Sequence, residues 1–334
     1  MIGLKRGTVK LLNHQKEWEL EARRTIFRLH KILGTVARDI QHVGSTSILT
    51  IKAKPIIDIA VAVDNFKDVL ALESELNNNG FYYCPNANLK DQLLFACGSY
   101  YDGTGYLQTH FIHVVIADSM EWTDYINFRD YLNKMPTVAK AYEDLKTSLA
   151  AAAPVDKDRE QYLKGKHDFI VYTLRKALVN YYLGKTVEIK IDRPIGSTHP
   201  RHADLIYPIN YGYIPGVLGG DGEELDVYLL GETNPVKECM ARVIGIVHRH
   251  NDVEDKLVAA PEGINFTQTE IAEAVHFQEQ YYESEIEIMP QLDFISKEPI
   301  NKGWSRDKKY CVTAADGIKY LLRVTPEEKS VNRL

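Results

Sequence analysis

The chain has 334 residues, too many for one ordinary hydrophobic core and about right for two domains. Its formal net charge of −6 argues against a protein that binds nucleic acid by bulk electrostatics, and no run approaches the roughly 20 apolar residues of a membrane span. Four cysteines without C-x-x-C spacing are typical of free thiols, and the N-terminus has no signal-peptide pattern, so we expect a cytoplasmic protein.

Helical periodicity dominates the first half of the chain. It predicts helices over about 14–33, 66–78, 120–131 and 137–152, and one long helix over about 159–182. Strands are predicted near 57–63, 93–97 and 111–116. Gly184 follows the last helix, where a residue able to adopt positive φ is expected. The first domain is therefore predicted to span residues 1–184.

Beyond Gly184 the pattern changes to short strands separated by glycine and proline turns. This pattern predicts a small mainly-β domain over residues 185–290, a closed or nearly closed barrel with a helix over about 269–282 packed across it. Loops and strand ends surround the mouth of such a barrel, which is where ligands usually bind.

Residues 291–334 are predicted to form a third piece outside the barrel. The run from Asn301 to Val324 contains two strands joined by Ala-Ala-Asp-Gly, which indicates a hairpin. It resembles the opening hairpin of the aminoglycoside-phosphotransferase and kinase-like fold, which implies a kinase-like N-lobe fragment without kinase activity. An isolated hairpin is marginal in water, so we expect this segment to be mobile unless it docks.

Two acidic turns in the second half are candidates for a functional site. Asp221, Glu223 and Asp226 precede an apolar strand, and Asp252 and Glu254 follow another. Hard cations such as Mg²⁺ take carboxylate oxygens, waters and substrate phosphates as ligands, so the turns indicate a magnesium site for a phosphate substrate. The alternative is that both are solvated turns, because Asp, Asn and Gly form turns readily.

The order of motifs over residues 187–289 is similar to that of the soluble inorganic pyrophosphatases. The motifs are IDRP at 191–194, YPINYGY at 207–213, DGEELD at 221–226, EDKLVAAP at 254–261 and HFQEQY at 276–281. The resemblance implies an OB-like barrel, Mg²⁺ as cofactor, inorganic diphosphate as substrate and, as an open possibility, a homo-oligomer. It implies metal or metal-water ligands at Asp192, Asp221, Glu223, Asp226, Asp252 and Glu254. It implies catalytic or phosphate contacts from Asp226, Lys256, Tyr213 and Tyr281.

The chain departs from that family in its cations. The family holds diphosphate with two lysines and an arginine, whereas the only candidates in the early segment here are His199, Arg201 and His202, and position 282 is Tyr282 rather than lysine. An unperturbed histidine is mostly neutral at pH 7 and replaces little of that charge. The substrate is therefore predicted to be diphosphate or another small phosphate metabolite that carries a diphosphate group.

The first half resembles the GrpB-like family, a branch related to the polymerase-beta type nucleotidyltransferases. The motifs are HVGSTS at 42–47, KPIIDIAVAV at 54–63, HFIHVV at 110–115, NFRDYL at 127–132 and REQYLKGKHDFI at 159–170. The resemblance implies an α+β nucleotidyltransferase-like fold and a nucleotide as candidate ligand. It implies phosphate contacts from Gly44 and Ser45, a metal ligand at Asp58, and site roles for His113, Arg129, Arg159 and Lys166.

Ala60 stands where the wider superfamily has a second aspartate, which weakens the case for two-metal nucleotidyl transfer. An ordinary turn and strand remain the alternative for this region. Our leading hypothesis is a Mg²⁺-dependent diphosphate hydrolase fused to a nucleotidyltransferase-like domain, whose released diphosphate it would remove. The alternatives are a non-catalytic sensor of nucleotide or diphosphate with a degenerate barrel site, and nucleotidyl transfer as the main activity. The sequence leaves open the acceptor of any such transfer, the oligomeric state and the role of residues 291–334.

Overall fold

The computed structural model describes residues 1–89, 91–152, 162, 164–200, 202–289, 294–300, 308–314 and 319–324. The chain forms two compact units, Met1–Ile286 and Glu287–Leu334. None of the described helices is long and apolar enough to cross a membrane.

The first unit opens with a mixed α/β layer. Its described helices are α1 (Lys16–Leu33), α2 (Phe66–Ala71), α3 (Glu73–Asn78), α4 (Met120–Lys134), α5 (Pro136–Ala152) and α6 (His167–Tyr182). Its strands are β1 (Leu4–Lys5), β2 (Ala37–Val43), β3 (Ile57–Val63), β4 (Tyr82–Tyr83), β5 (Gln92–Cys97), β6 (Leu107–Gln108) and β7 (His110–Ile116). Single 3₁₀ turns lie at Gly34–Val36, Ser45–Ser47 and Pro85–Ala87.

A five-stranded sheet with the order β2-β3-β7-β5-β4 carries this half. Strand β3 runs parallel to β7 and antiparallel to β2. It is apolar at every position but Asp58, because a central strand is covered on both faces. Helix α1 buries Trp18, Ala22, Leu29 and Leu33 in the core of this sheet, and their spacing of four or seven residues keeps them on one helical face.

The second half of the first unit is a closed barrel. The strands of this part of the chain are β8 (Thr186–Arg193), β9 (Thr198–His199), β10 (His202–Ile206), β11 (Asn210–Leu218), β12 (Glu224–Leu229), β13 (Glu238–Arg249), β14 (Lys256–Ala260) and β15 (Ser284–Ile288). Strands β9 and β10 form a separate two-stranded sheet. The sheet order is β14-β12-β11-β8-β13-β15, and a further pairing of β13 with β14 closes five strands into the barrel. The predicted fold class, an α+β domain followed by a small barrel, is confirmed.

Helix α7 (Gln268–Glu279) follows the barrel strands. Thr267 caps it by accepting a hydrogen bond from the backbone N–H of Glu270, whose side chain in turn accepts from the backbone of Thr267. Its buried residues Ile271 and Val275 face inward, and Phe277 packs against Tyr207.

The second unit contains a three-stranded antiparallel sheet of β16 (Phe294–Pro299), β17 (Lys308–Ala314) and β18 (Lys319–Val324). Strands β17 and β18 are those predicted from the sequence, and β16 is an additional strand. The joining residues 315–318 lie outside the described residues.

Two helix predictions were wrong in detail. The helix predicted over 66–78 is divided at Leu72 into α2 and α3. The helix predicted over 159–182 does not run unbroken, because a turn at Gly165 and Lys166 precedes the start of α6 at His167. Glycine loses more backbone entropy in a helix than other residues, and this favours the break.

Candidate functional site

The two acidic turns meet at one mouth of the barrel. A Cβ atom added to Gly219 would lie 2.2 Å from Oε1 of Glu254, and one added to Gly220 would lie 2.1 Å from the carbonyl oxygen of Val253. Only glycine permits so close an approach of one turn to the other. The strands that carry the turns, β12 and β14, pair in parallel, so their adjacent ends lie side by side.

A buried ammonium joins the two turns. Lys256 is 3% exposed and donates hydrogen bonds to Asp226 and to Glu254, the latter at 3.0 Å. Burial alone would lower the pKa of Lys256, but the two carboxylates hold it above its ordinary value. Lys256 therefore stays protonated between the two carboxylates.

Glu254 is incompletely satisfied. Its Oε1 atom is buried and has no hydrogen-bond partner among the described residues. Burial raises the pKa of Glu254 to about 7, Lys256 opposes this, and the neighbouring Asp226 adds to the rise. A buried oxygen of this kind is a candidate ligand for a cation.

Tyrosines and an arginine form the wall beside Asp226. Asp192 and Arg193 end strand β8, and the Arg193 guanidinium carbon lies 5.1 Å from the ring centroid of Tyr211 and 5.8 Å from that of Tyr207. The Nε atom of Arg193 is buried without a partner among the described residues. Burial raises the pKa of Asp192, with Arg193 opposing the shift.

Arg193 and Tyr211 are not among the residues predicted from the sequence, because the resemblance placed the early cations in the segment around Arg201. Arg193 lies within the IDRP motif itself. The hydroxyl of Tyr211 is paired with Asp226, and burial raises the pKa of that hydroxyl well above its ordinary value. The cationic residue beside Asp192 was the available signal.

Asp252 lies in a different network. Its carboxylate accepts a hydrogen bond from Nη1 of Arg249 at 2.9 Å, and Arg249 also donates from Nε to Glu279 at 3.0 Å. The structure therefore pairs this predicted metal ligand with a buried arginine instead of grouping it with Asp226 and Glu254.

The remaining predicted barrel residues differ in their surroundings. Tyr213 is directly opposite Asp226 in the β11–β12 ladder. Asp221 and Glu223 are exposed, and Tyr281 is 67% exposed. The rings of His199 and His202 lie 4.9 Å apart. Arg201 lies outside the described residues.

The donor set of the mouth suits a hard divalent cation, because it consists of carboxylate oxygens, one of which is buried and has no partner in the described part of the chain. Among the residues that the structure describes, no three His, Cys, Asp or Glu side chains converge as a ready-made metal centre. The Lys256 ammonium lies between two of the carboxylates, so a metal ion would share Asp226 and Glu254 with it.

A second site lies in the first half of the chain. A cavity of about 400 Å³ collects five of the seven residues predicted there: Gly44, Ser45, Asp58, His113 and Lys166. Gly44 has φ +68°, and a Cβ atom on it would lie 2.4 Å from Oδ2 of Asp58. Nε2 of His113 lies 3.4 Å from Oδ1 of the same carboxylate.

The other two predicted residues lie elsewhere. Arg129 donates from Nη1 to the carbonyl oxygen of His42 at 3.0 Å, so it braces the strand before Gly44 and is not among the residues that line the cavity. Arg159 lies outside the described residues.

Helix α4 supplies cavity residues that sequence reasoning missed. Glu121, Asp124, Tyr125 and Phe128 all line the cavity. They are spaced i, i+3, i+4 and i+7, which brings them to one helical face. Their separation of more than 60 residues from Asp58 left no local signal of the association.

Comparison with known proteins covers both halves. The sequence model of the family GrpB protein matches residues 8–176, and that of the family inorganic pyrophosphatase matches residues 183–287. A glutamate-rich protein GrpB from Alkalihalophilus pseudofirmus is 37% identical over 171 residues, which is 51% of this chain and 96% of the relative. An inorganic pyrophosphatase from Saccharolobus solfataricus is 39% identical over 77 residues, but these are only 22% of this chain and 41% of the relative.

Among solved structures, the conserved protein GrpB from Enterococcus faecalis is 28% identical, with a TM-score of 0.47 over 52% of this chain and 99% of that chain. The chain belongs to the GrpB family and carries, after its GrpB domain, an inorganic pyrophosphatase domain.

Proposed function

We propose that the barrel hydrolyses inorganic diphosphate, or a related diphosphate compound, with Mg²⁺ as the divalent cofactor. The observation that supports this most directly is the buried Lys256 ammonium held between the carboxylates of Asp226 and Glu254. Relatives matched over this region are named inorganic pyrophosphatases, and that family implies a divalent metal.

Each group at the mouth has a role in this proposal. Asp192, Asp221, Glu223, Asp226 and Glu254 are the oxygen donors available to Mg²⁺, which supplies an activated water and neutralises charge on phosphoryl oxygens. Lys256 and Arg193 donate hydrogen bonds to those oxygens. Tyr211, whose hydroxyl is paired with Asp226, orients that carboxylate, and Tyr213, opposite Asp226 on the neighbouring strand, contacts phosphate together with Tyr281.

The number of cations at the mouth indicates how much substrate charge the site can neutralise. Lys256 and Arg193 give two positive charges at the mouth, and His199 and His202 add charge only when protonated. A diphosphate that carries an organic group has less charge to neutralise than inorganic diphosphate, so such compounds belong in the first substrate panel.

The test is phosphate release from inorganic diphosphate with and without Mg²⁺, with the Asp226→Asn protein beside the parent and Glu273→Gln as control. Glu273 is an exposed carboxylate on α7, so its neutralisation should leave activity unchanged. We expect Mg²⁺-dependent release that is lost only in Asp226→Asn. Mg²⁺ binding without release from inorganic diphosphate, nucleotides or other organic diphosphates would overturn hydrolysis and favour the sensor alternative.

A second candidate function concerns the GrpB domain. The clustering of Gly44, Ser45, Asp58, His113 and Lys166 around one cavity supports nucleotide binding there. Calorimetric titration of nucleoside triphosphates in the presence of Mg²⁺ into the parent and Asp58→Asn proteins tests it. Equal heats for both proteins would remove this candidate.

A further inference from the structure

Helix α6 belongs to both halves of the first unit. Ile170 and Leu174 line the cavity of the GrpB domain, together with Lys166 at the start of the helix. Near the other end, Val179 is buried in the hydrophobic core of the barrel. The helix is therefore a shared structural element and not a linker between the two domains.

Lys176, on this helix, reaches into the barrel. It is 8% exposed, and its Nζ atom lies 2.9 Å from Oδ1 and 2.8 Å from Oδ2 of Asp255. Asp255 also lies 2.7 Å from Nδ1 of His248 and accepts a hydrogen bond from the backbone N–H of Arg249 at 3.1 Å. Lys176 is the last residue matched to the GrpB family, and the other three belong to the pyrophosphatase domain.

Asp255 lies directly between Glu254 and Lys256 in the chain. Successive side chains of extended backbone project to opposite sides. The contacts agree with this, because Glu254 and Lys256 bond to each other while Asp255 bonds to the helix. The position of Asp255 therefore fixes both of its neighbours.

A second contact from α6 supports the other acidic turn. A Cβ atom added to Gly220 would lie 3.2 Å from Cδ of Arg175, the residue before Lys176. The helix thus packs on the turn that carries Asp221 and bonds to the turn that carries Glu254. Both turns rest on an element that the GrpB domain also uses.

We propose that Lys176 is a positioning residue for the barrel: by binding Asp255 it holds Glu254 and Lys256 in register with Asp226, so that the mouth depends on a side chain of the GrpB domain. The expected change in kcat and in the Mg²⁺ midpoint rests on the proposed hydrolysis. The expected change in the position of Glu254 and Lys256 does not depend on hydrolysis. His248 and the backbone N–H of Arg249 also bind Asp255, one carboxylate oxygen each, but both belong to the barrel, so among these partners Lys176 ties Asp255 to the GrpB domain.

The experiment uses the full chain and the variants Lys176→Met and Lys176→Arg, with Lys67→Met as control. Lys67 is an exposed lysine on α2. We measure kcat, KM for diphosphate and the Mg²⁺ concentration for half-maximal rate, and separately the amide hydrogen exchange of residues 250–257 in metal-free protein.

For Lys176→Met we expect kcat to fall about 10- to 100-fold, the range typical of residues that orient metal ligands without touching the metal themselves. The Mg²⁺ midpoint should rise in protein that circular dichroism shows to be fully folded, because a smaller folded fraction would by itself raise the apparent midpoint. Exchange in residues 250–257 should quicken, Lys176→Arg should restore most of both properties, and Lys67→Met should match the parent.

Two results would overturn the inference: parent-like exchange in residues 250–257 of folded Lys176→Met, or a loss of rate with an unchanged Mg²⁺ midpoint. If the parent chain itself releases no phosphate, the hydrolysis proposal fails, and the exchange measurement alone then decides whether Lys176 positions the loop.

Discussion

The guanidinium of Arg249 lies over the ring of Tyr282, with its central carbon 3.6 Å from the ring centroid. Tyr282 occupies the position at which the resemblance to pyrophosphatases implies a lysine. Arg249, on strand β13, places a cation beside this position instead. Its charge is shared with Glu279 and Asp252, however, and this arginine is a structural cation more than a phosphate ligand.

Replacing Arg249 with Met should destabilise the protein strongly. The arginine side chain is 2% exposed and that of Glu279 5%, so the substitution leaves an uncompensated buried carboxylate. We expect the free energy of unfolding to fall by about 3–5 kcal/mol, measured by urea denaturation. The double variant Arg249→Met with Glu279→Gln should recover part of this loss. A fall below about 1 kcal/mol would contradict the buried-pair account.

Replacing Arg193 with Met should weaken substrate binding. The variant removes a guanidinium whose buried Nε–H has no partner among the described residues, and it leaves the carboxylates in place. We expect KM for diphosphate to rise about 10-fold or more, corresponding to roughly 1.4 kcal/mol, with Lys at this position restoring only part of the effect. Unchanged steady-state kinetics would exclude Arg193 from the phosphate site.

Gly44→Ala should damage the GrpB cavity, and Gly7→Ala is its matched control. Both glycines have positive φ, but a Cβ on Gly44 meets Asp58 whereas one on Gly7 meets nothing within 4 Å. Thermal unfolding should show a loss of about 1 kcal/mol for Gly7→Ala from backbone strain, and about 1–3 kcal/mol more for Gly44→Ala. Equal losses would mean that Asp58 moves aside freely.

Asp124→Asn should stabilise the protein at alkaline pH. Burial, reinforced by Glu121, raises the pKa of Asp124 to about 6, above its unfolded value. The folded state therefore binds the proton more tightly, and this group's contribution to stability is present below about pH 3.8 and lost as the pH rises through 6.

At pH 8 the variant should be more stable than the parent by about 1–2 kcal/mol, allowing for the partial exposure of the carboxyl group. Urea denaturation at several pH values from 8 to 4 measures the difference, which should shrink as the pH falls. A difference independent of pH would show that the ionisation of Asp124 is not its cause.

Much of the architecture follows from short runs of sequence. The apolar strand Ile57–Val63, the turn-punctuated strands after Gly184 and the acidic turns at Asp221 and Glu254 are each written in contiguous residues. Contiguous patterns report local backbone conformation and exposure, so they predicted the α+β half, the barrel and the families that share their motifs.

The tertiary structure alone decided which charges meet. Lys176 and Asp255 are 79 residues apart in the chain, and Arg249 and Glu279 are 30 apart, yet both are buried ion pairs. The sequence supplied the acidic set of the barrel but could not assign Asp252 to Arg249 rather than to Asp226. Local sequence determines the secondary structure and hence the direction in which a side chain points. The partner of a buried charge depends instead on which helices and strands the folded core brings into contact.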